Sequence, residues 1–252
     1  MNKEMFFKMF KNKNYIDQLK EIPQKFNVKH NEEEKKTEIT IYGVIGDSWW
    51  SDSFSANDID KALNEAGDND VVINLNSPGG DAFDGISIFN RLKRHKGKVT
   101  VHVDGWACSA ASIIAMAGDE IIMELGSMMM IHEASNIVWG SKTDMRKEAD
   151  VLEQLEEGII DIYVTKANIG RDEIKEKVNA ETWFSASSAV ELGLAHKAEG
   201  VEETPKIEMT AEKNDDRKSI LNELKNVLEP NNQTEQEPSE NKGSFNLFKK
   251  WR

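Results

Sequence analysis

The chain has 252 residues, 32 of them basic and 45 acidic, for a net charge of −13, and it carries a single cysteine, Cys108. That length holds one domain of ordinary size with tails, or two small domains. The charge argues against broad nucleic-acid binding and adhesion to an anionic membrane, one cysteine excludes an internal disulfide or a cysteine-rich zinc site, and no apolar run approaches the ~20 residues of a membrane span.

Residues 1–30 hold seven lysines and three acids, net +4. Lys8, Lys11 and Lys13 interrupt Phe6, Phe7 and Phe10, so no clean signal h-region forms. The polar run 30–37 reads as a linker, which makes 1–36 a basic leader with its linker. A folded domain is expected over 37–200. Residues 37–43 (TEITIYG) alternate polar and apolar and predict a strand. Ser55 is a good N-cap for a helix that buries Ile59, Ala62, Leu63 and Ala66 and stops at Gly67. Residues 71–76 predict a half-buried strand, 82–94 a helix, and 99–104 another strand. The small, apolar run 109–117 predicts a buried helix. Short strands are expected at 120–123 and 128–131. A long helix over 141–168 carries an apolar stripe at Met145, Ala149, Leu152, Leu155, Ile159 and Ile162. Shorter helices follow at 171–178 and 187–192. Beyond Gly200 the tail, 201–252, predicts one amphipathic helix (Ile220, Leu224, Val227, Leu228) and then disorder, because 231–244 lacks large apolar residues to offset ordering entropy. The deficit of charge sits in 31–200, which carries −15. Strands alternating with helices imply an α/β fold with a mostly parallel sheet and chemistry at strand ends.

Three segments carry chemistry. In 74–80 (NLNSPGG) a strand runs into Pro78, Gly79 and Gly80; such a turn either simply turns the chain or aims free N–H groups at an oxyanion. In 105–112 (GWACSAAS) Ser109 stands at a helix start, where it serves as an N-cap or as a nucleophile beside unpaired N–H groups and the positive helix end. Cys108, next to it, reads better as a small core residue. In 127–135 (SMMMIHEAS) a hydrophobic strand ends at His132, and neutral imidazole is the usual general base for a serine. His30 and His95 stand in polar contexts, and His102 sits mid-strand as a structural residue.

Together these segments resemble the proteolytic subunit of Clp protease. The resemblance spans roughly 37–198 and continues into 183–194 (WFSASSAVELGL). It implies a ClpP/crotonase-type spiral of ββα units with a long oligomerisation helix, and serine endopeptidase activity without cofactor or metal. By resemblance Ser109 is the nucleophile, His132 the base, and the oxyanion-hole amides fall on Gly80 and Ala110. The family's acid aligns with Glu181; Asp172, or no acid at all, are the alternatives. The basic leader, Trp49 and Trp50 in a polar loop, and the long tail look like the Clp-like head maturation proteases of tailed bacteriophages. Those proteins imply self-assembly into a ring, a capsid or scaffold protein as substrate, and a site of action in the host cytoplasm or the prohead. A housekeeping-type subunit docked to a Clp-type ATPase is the alternative. Other rivals are a crotonase-type acyl-CoA enzyme, a Ser/Lys peptidase using Lys142, and a non-catalytic scaffold component.

Overall fold

The structure is a computed structural model that describes residues 3–46 and 54–200. The expectations for Trp49, Trp50 and the tail lie outside the described residues. Eight strands form one sheet: β1 (Lys25–Asn31), β2 (Lys36–Tyr42), β3 (Asp70–Ser77), β4 (Val99–Cys108), β5 (Glu120–Met123), β6 (Met128–Ile131), β7 (Thr182–Ser185) and β8 (Lys197–Ala198). The helices are α1 (Lys3–Lys8), α2 (Ile16–Lys20), α3 (Ala56–Ala66), α4 (Ala82–Lys93), α5 (Ala110–Ala115), α6 (Lys142–Val164), α7 (Arg171–Asn179) and α8 (Ala186–Glu191).

Strands β2, β3, β4, β5 and β8 lie side by side in that order and pair parallel. The antiparallel pairs are β1 with β2 and β6 with β7. The fold is therefore α/β with a mostly parallel mixed sheet. Alternation explains the central strands: in β2 Ile39 and Ile41, and in β3 Val71, Ile73 and Leu75, point one way and are fully buried. Each such side chain contributes about 1.5–3 kcal/mol on burial.

The helix over 56–66 forms as the sequence predicts. Ser55 and Asp58 make a reciprocal capping box, and Ile59, Ala62, Leu63 and Ala66 are its buried face. Helix α6 departs from expectation. It ends at Val164 rather than 168, and only its last turns bury a face, through Ile159, Ile160, Ile162 and Tyr163. Met145, at the head of the expected stripe, is 52% exposed.

The leader departs further. The run 30–37, expected as a linker, closes a β hairpin: Asn31 Oδ1 accepts from the Glu33 and Glu34 N–H groups, and Lys35 takes a left-handed φ of 49°. Ahead of it, Phe6, Phe7, Phe10 and Leu19 form a buried cluster with Cys108 and Met130. These are residues of β4 and β6, so the leader packs against the strands whose ends carry Ser109 and His132.

Candidate active site

Strand β4 changes partner along its length. Thr100–Val103 pair with β5, whereas Trp106–Cys108 pair with β6, with Cys108 opposite Met130. Because that second pairing is parallel, the residues just beyond both strands emerge at the same edge. Ser109 follows Cys108, and His132 follows Ile131. The Ser109 N–H donates to the Met130 carbonyl at 2.9 Å, which ties the two exits together.

The turn from β4 into α5 is sharp. Ser109 has φ 54° and ψ −126°, a conformation that costs a non-glycine residue about 1–3 kcal/mol. It occupies the N-cap position of α5, yet its side chain makes no capping bond. The hydroxyl is turned to the imidazole: Oγ lies 2.8 Å from His132 Nε2. The Ser109 carbonyl accepts from Ser112 Oγ at 2.6 Å, and Ser112 Oγ is bonded to the Tyr163 hydroxyl at 2.7 Å. This bracing from α6 is absent from the sequence reading, since nothing local to Tyr163 marks it as a neighbour of residue 109.

The glycine turn lies against the same serine. Gly79 has φ 93°, and a Cβ there would stand 2.6 Å from both the Cys108 carbonyl oxygen and Ser109 Cβ. Ile45 bridges the turn: its N–H donates to the Gly79 carbonyl, and its carbonyl accepts from the Asp81 N–H. That pattern uses the groups on either side of Gly80 and leaves its own N–H unbonded among the described residues. The Ala110 N–H, at the first position of α5, is likewise unbonded, as helix starts leave it. Gly80, Ser109, Ala110 and His132 line one cleft of about 140 Å³. Apolar side chains of α5 and α6, among them Ile113, Leu155 and Tyr163, form its other wall.

Burial pulls the His132 pKa down to about 4, with Lys11 lowering it further and Glu181 and Glu133 opposing. The ring is neutral at physiological pH, the state a general base needs. Cys108 is fully buried, and burial pushes its thiol well up, so it stays protonated and unreactive. The other described histidines are bonded elsewhere: His30 to Thr37, His95 to the Asn69 carbonyl, His102 to Glu124 and His196 to the Ile121 N–H.

Glu181 is close to this group but not joined to it. It is buried, with a left-handed φ of 53°. Its carboxylate accepts from the Lys11 and Asn12 backbone N–H groups, and from Trp183 Nε1 at 3.4 Å. Among the described residues no hydrogen bond runs between Glu181 and His132. The expected carboxylate–imidazole contact is thus replaced by a carboxylate–leader contact, because the leader presents two N–H donors to it. Asp172 and Lys142, the other candidates, are exposed at the starts of α7 and α6.

The chain is similar to known proteins. The Clp protease family model matches residues 35–200. Proteolytic subunit 1 of the ATP-dependent Clp protease from Protochlamydia amoebophila is 30% identical over 131 residues, covering 50% of this chain and 64% of that protein. The corresponding subunit from Deinococcus radiodurans is 27% identical over 127 residues, 50% of this chain and 62% of its own length. The match thus spans somewhat less than two thirds of these relatives. Among solved structures, a ClpP1 mutant from Listeria monocytogenes superposes with a TM-score of 0.57 at 22% identity, over 66% of this chain and 92% of that one, which makes the fold a shared one. With the family model covering residues 35–200, well over half of the chain, this chain belongs to the Clp protease family.

Proposed function

We propose that the protein is a serine endopeptidase in which Ser109 is the nucleophile, His132 the general base, and the Gly80 and Ala110 N–H groups the oxyanion hole. The observation that carries this reading is the 2.8 Å Ser109–His132 contact, in one cleft with two unbonded amides. His132 takes the Ser109 proton as Oγ bonds to the scissile carbonyl carbon. The carbonyl oxygen gains the electron pair and receives the two N–H groups. The tetrahedral adduct collapses, the C–N bond breaks, and the imidazolium protonates the departing amine. Water, deprotonated by His132, then releases the acyl group and restores the serine. Each oxyanion donor is worth about 10²–10³ in rate. The apolar wall suits a substrate with an apolar side chain next to the cleaved bond.

Two working contexts compete. The relatives are named ATP-dependent Clp proteolytic subunits, which favours a peptidase chamber fed by a Clp-type ATPase. The head-maturation reading rests on the leader, Trp49 and Trp50, and the tail, and the relatives named above do not point to it. Either context calls for self-assembly, and exposed apolar surface supports it. Trp139 is fully exposed, and Ile137, Met145 and Val151 are each about half exposed around the start of α6. A Trp139→Asp variant is expected to shift the mass measured by light scattering toward the monomer; an unchanged mass places the contact elsewhere.

A fluorophosphonate tests the chemistry. It should label Ser109 alone, found by mass spectrometry of the peptides. Because the His132 pKa lies near 4, the labelling rate should stay level from neutral pH down to about 5 and fall only as the ring gains its proton near 4. A fall centred on the ordinary histidine value of about 6.5 would mean that the ring is solvated.

A further inference from the structure

The leader does more than cover a hydrophobic face. Phe10 lies flat on the His132 ring, with centroids 5.5 Å apart and planes inclined by 9°. Phe6, Met9 and Phe10 line the same cleft as Ser109, Gly80 and Ala110. The next two residues take the acid: the Lys11 N–H reaches Glu181 Oε2, and the Asn12 N–H reaches Oε1 at 2.7 Å. The Lys11 ammonium is held by Glu133 Oε2 and the Asn179 carbonyl, both at 2.7 Å. Three consecutive residues therefore engage the imidazole, the buried carboxylate and the rim of the cleft. Both oxygens of Glu181 are committed to the leader, so among the described residues no carboxylate is hydrogen-bonded to His132.

We propose that residues 9–12 are a cis-acting cap that holds the active site latent, and that an entering polypeptide displaces them. Displacement uncovers the cleft and frees Glu181 to turn toward His132, with which it already interacts electrostatically. The cap is anchored on one side by Phe6 and Phe7, buried against each other at 5.0 Å. On the other side Tyr15 is set between Trp106 and Trp183. Lifting residues 9–12 separates Phe10 from Phe6 and Phe7 but leaves the Phe6–Phe7 contact and the Tyr15 contacts in place. This inference rests on the peptidase reading above and adds a regulated state to it.

The test uses the full-length, wild-type chain. Ser109 is labelled with a peptidyl phosphonate carrying an apolar residue next to phosphorus and two further residues, and hydrogen exchange of residues 5–14 is followed by mass spectrometry. The cap reading expects faster exchange at residues 9–12 in the labelled protein than in the free one. It also expects Phe10→Ala to raise the rate of labelling by a small fluorophosphonate about tenfold at pH 7, since the fraction of uncapped molecules limits that rate; Phe10→Tyr, which keeps the stack, should stay slow. If Ser109 is labelled and exchange at 9–12 is unchanged or slower, the leader is a fixed wall of the site and the cap is overturned while the peptidase reading stands. If neither wild type nor Phe10→Ala reacts with the small fluorophosphonate, the peptidase reading itself falls, and the cap with it.

Discussion

Ser109→Ala and His132→Ala will each cut peptide hydrolysis by about 10⁴- to 10⁶-fold, and the double variant will fall little further than either alone. The two side chains form a single device. A serine hydroxyl without a base is a poor nucleophile at neutral pH, and the imidazole 2.8 Å away has no other proton to take. The residual rate comes from Gly80 and Ala110, which still hold the carbonyl oxygen. The stability costs differ. Ser109 sits in a strained conformation whose cost alanine shares, so Ser109→Ala should melt close to the wild type. His132→Ala loses the Phe10 stack, worth about 0.5–1.5 kcal/mol, and should melt a few degrees lower. Steady-state rates on a casein-type unfolded substrate, with thermal melts of the same samples, check both. Losses that multiply in the double variant would mean that the two residues act independently, and that the contact is incidental.

How much of this was legible beforehand depends on how local the signal is. The central strands announce themselves because period-two alternation follows from one buried face; Ile39, Ile41, Ile73 and Leu75 are buried as that pattern requires. The helix over 56–66 is marked by Ser55 at one end and Gly67 at the other. The edge strand β1 was hidden because it lies in the basic leader and its last two residues, His30 and Asn31, belong to the polar run read as a linker. Its pairing with β2 is set by a turn at Asn31, with only Phe26 and Val28 packed against the core. The long apolar stripe misled for a related reason: periodicity says which side of α6 is apolar, but only a partner surface makes it buried, and the turns of α6 that precede Ile159 lack, among the described residues, one that buries them.

The site divides the same way. Ser109, His132 and the glycine turn were readable because each stands where a strand ends, and their convergence follows from β4 and β6 being parallel neighbours. The place of Glu181 could be aligned but not its partners. Those are backbone N–H groups of Lys11 and Asn12, some 170 residues away in sequence, and main-chain donors leave no trace in residue type. The aromatic leader residues 6, 7 and 10 were visible as apolar. Their target, Cys108 and Met130 behind the nucleophile, was not.

Gly79→Ala should damage both turnover and stability. Two costs coincide there. The backbone has φ 93°, which alanine adopts only at about 1–2 kcal/mol. The added Cβ would also stand 2.6 Å from the Cys108 carbonyl oxygen and 2.6 Å from Ser109 Cβ, with the Ala110 N at 3.0 Å. None of these is the flexible end of a side chain. The two backbone atoms are fixed by the β4–β6 pairing and the start of α5, so relief has to come from moving the turn away from Ser109. That motion takes Gly80 with it, and a displacement near 1 Å at a reacting centre costs about 10² in rate. The expected result is a folded protein with hydrolysis lowered by about 10²-fold or more and a melting temperature several degrees down. Gly126→Ala separates the two causes: its φ is 81°, but nothing lies within 4 Å of the new Cβ. It should therefore show the conformational cost alone, with a modest fall in melting temperature and full activity. If Gly79→Ala matches Gly126→Ala in both rate and stability, the turn tolerates a side chain, and the close approach of 79 to 109 does not set the geometry of the oxyanion hole.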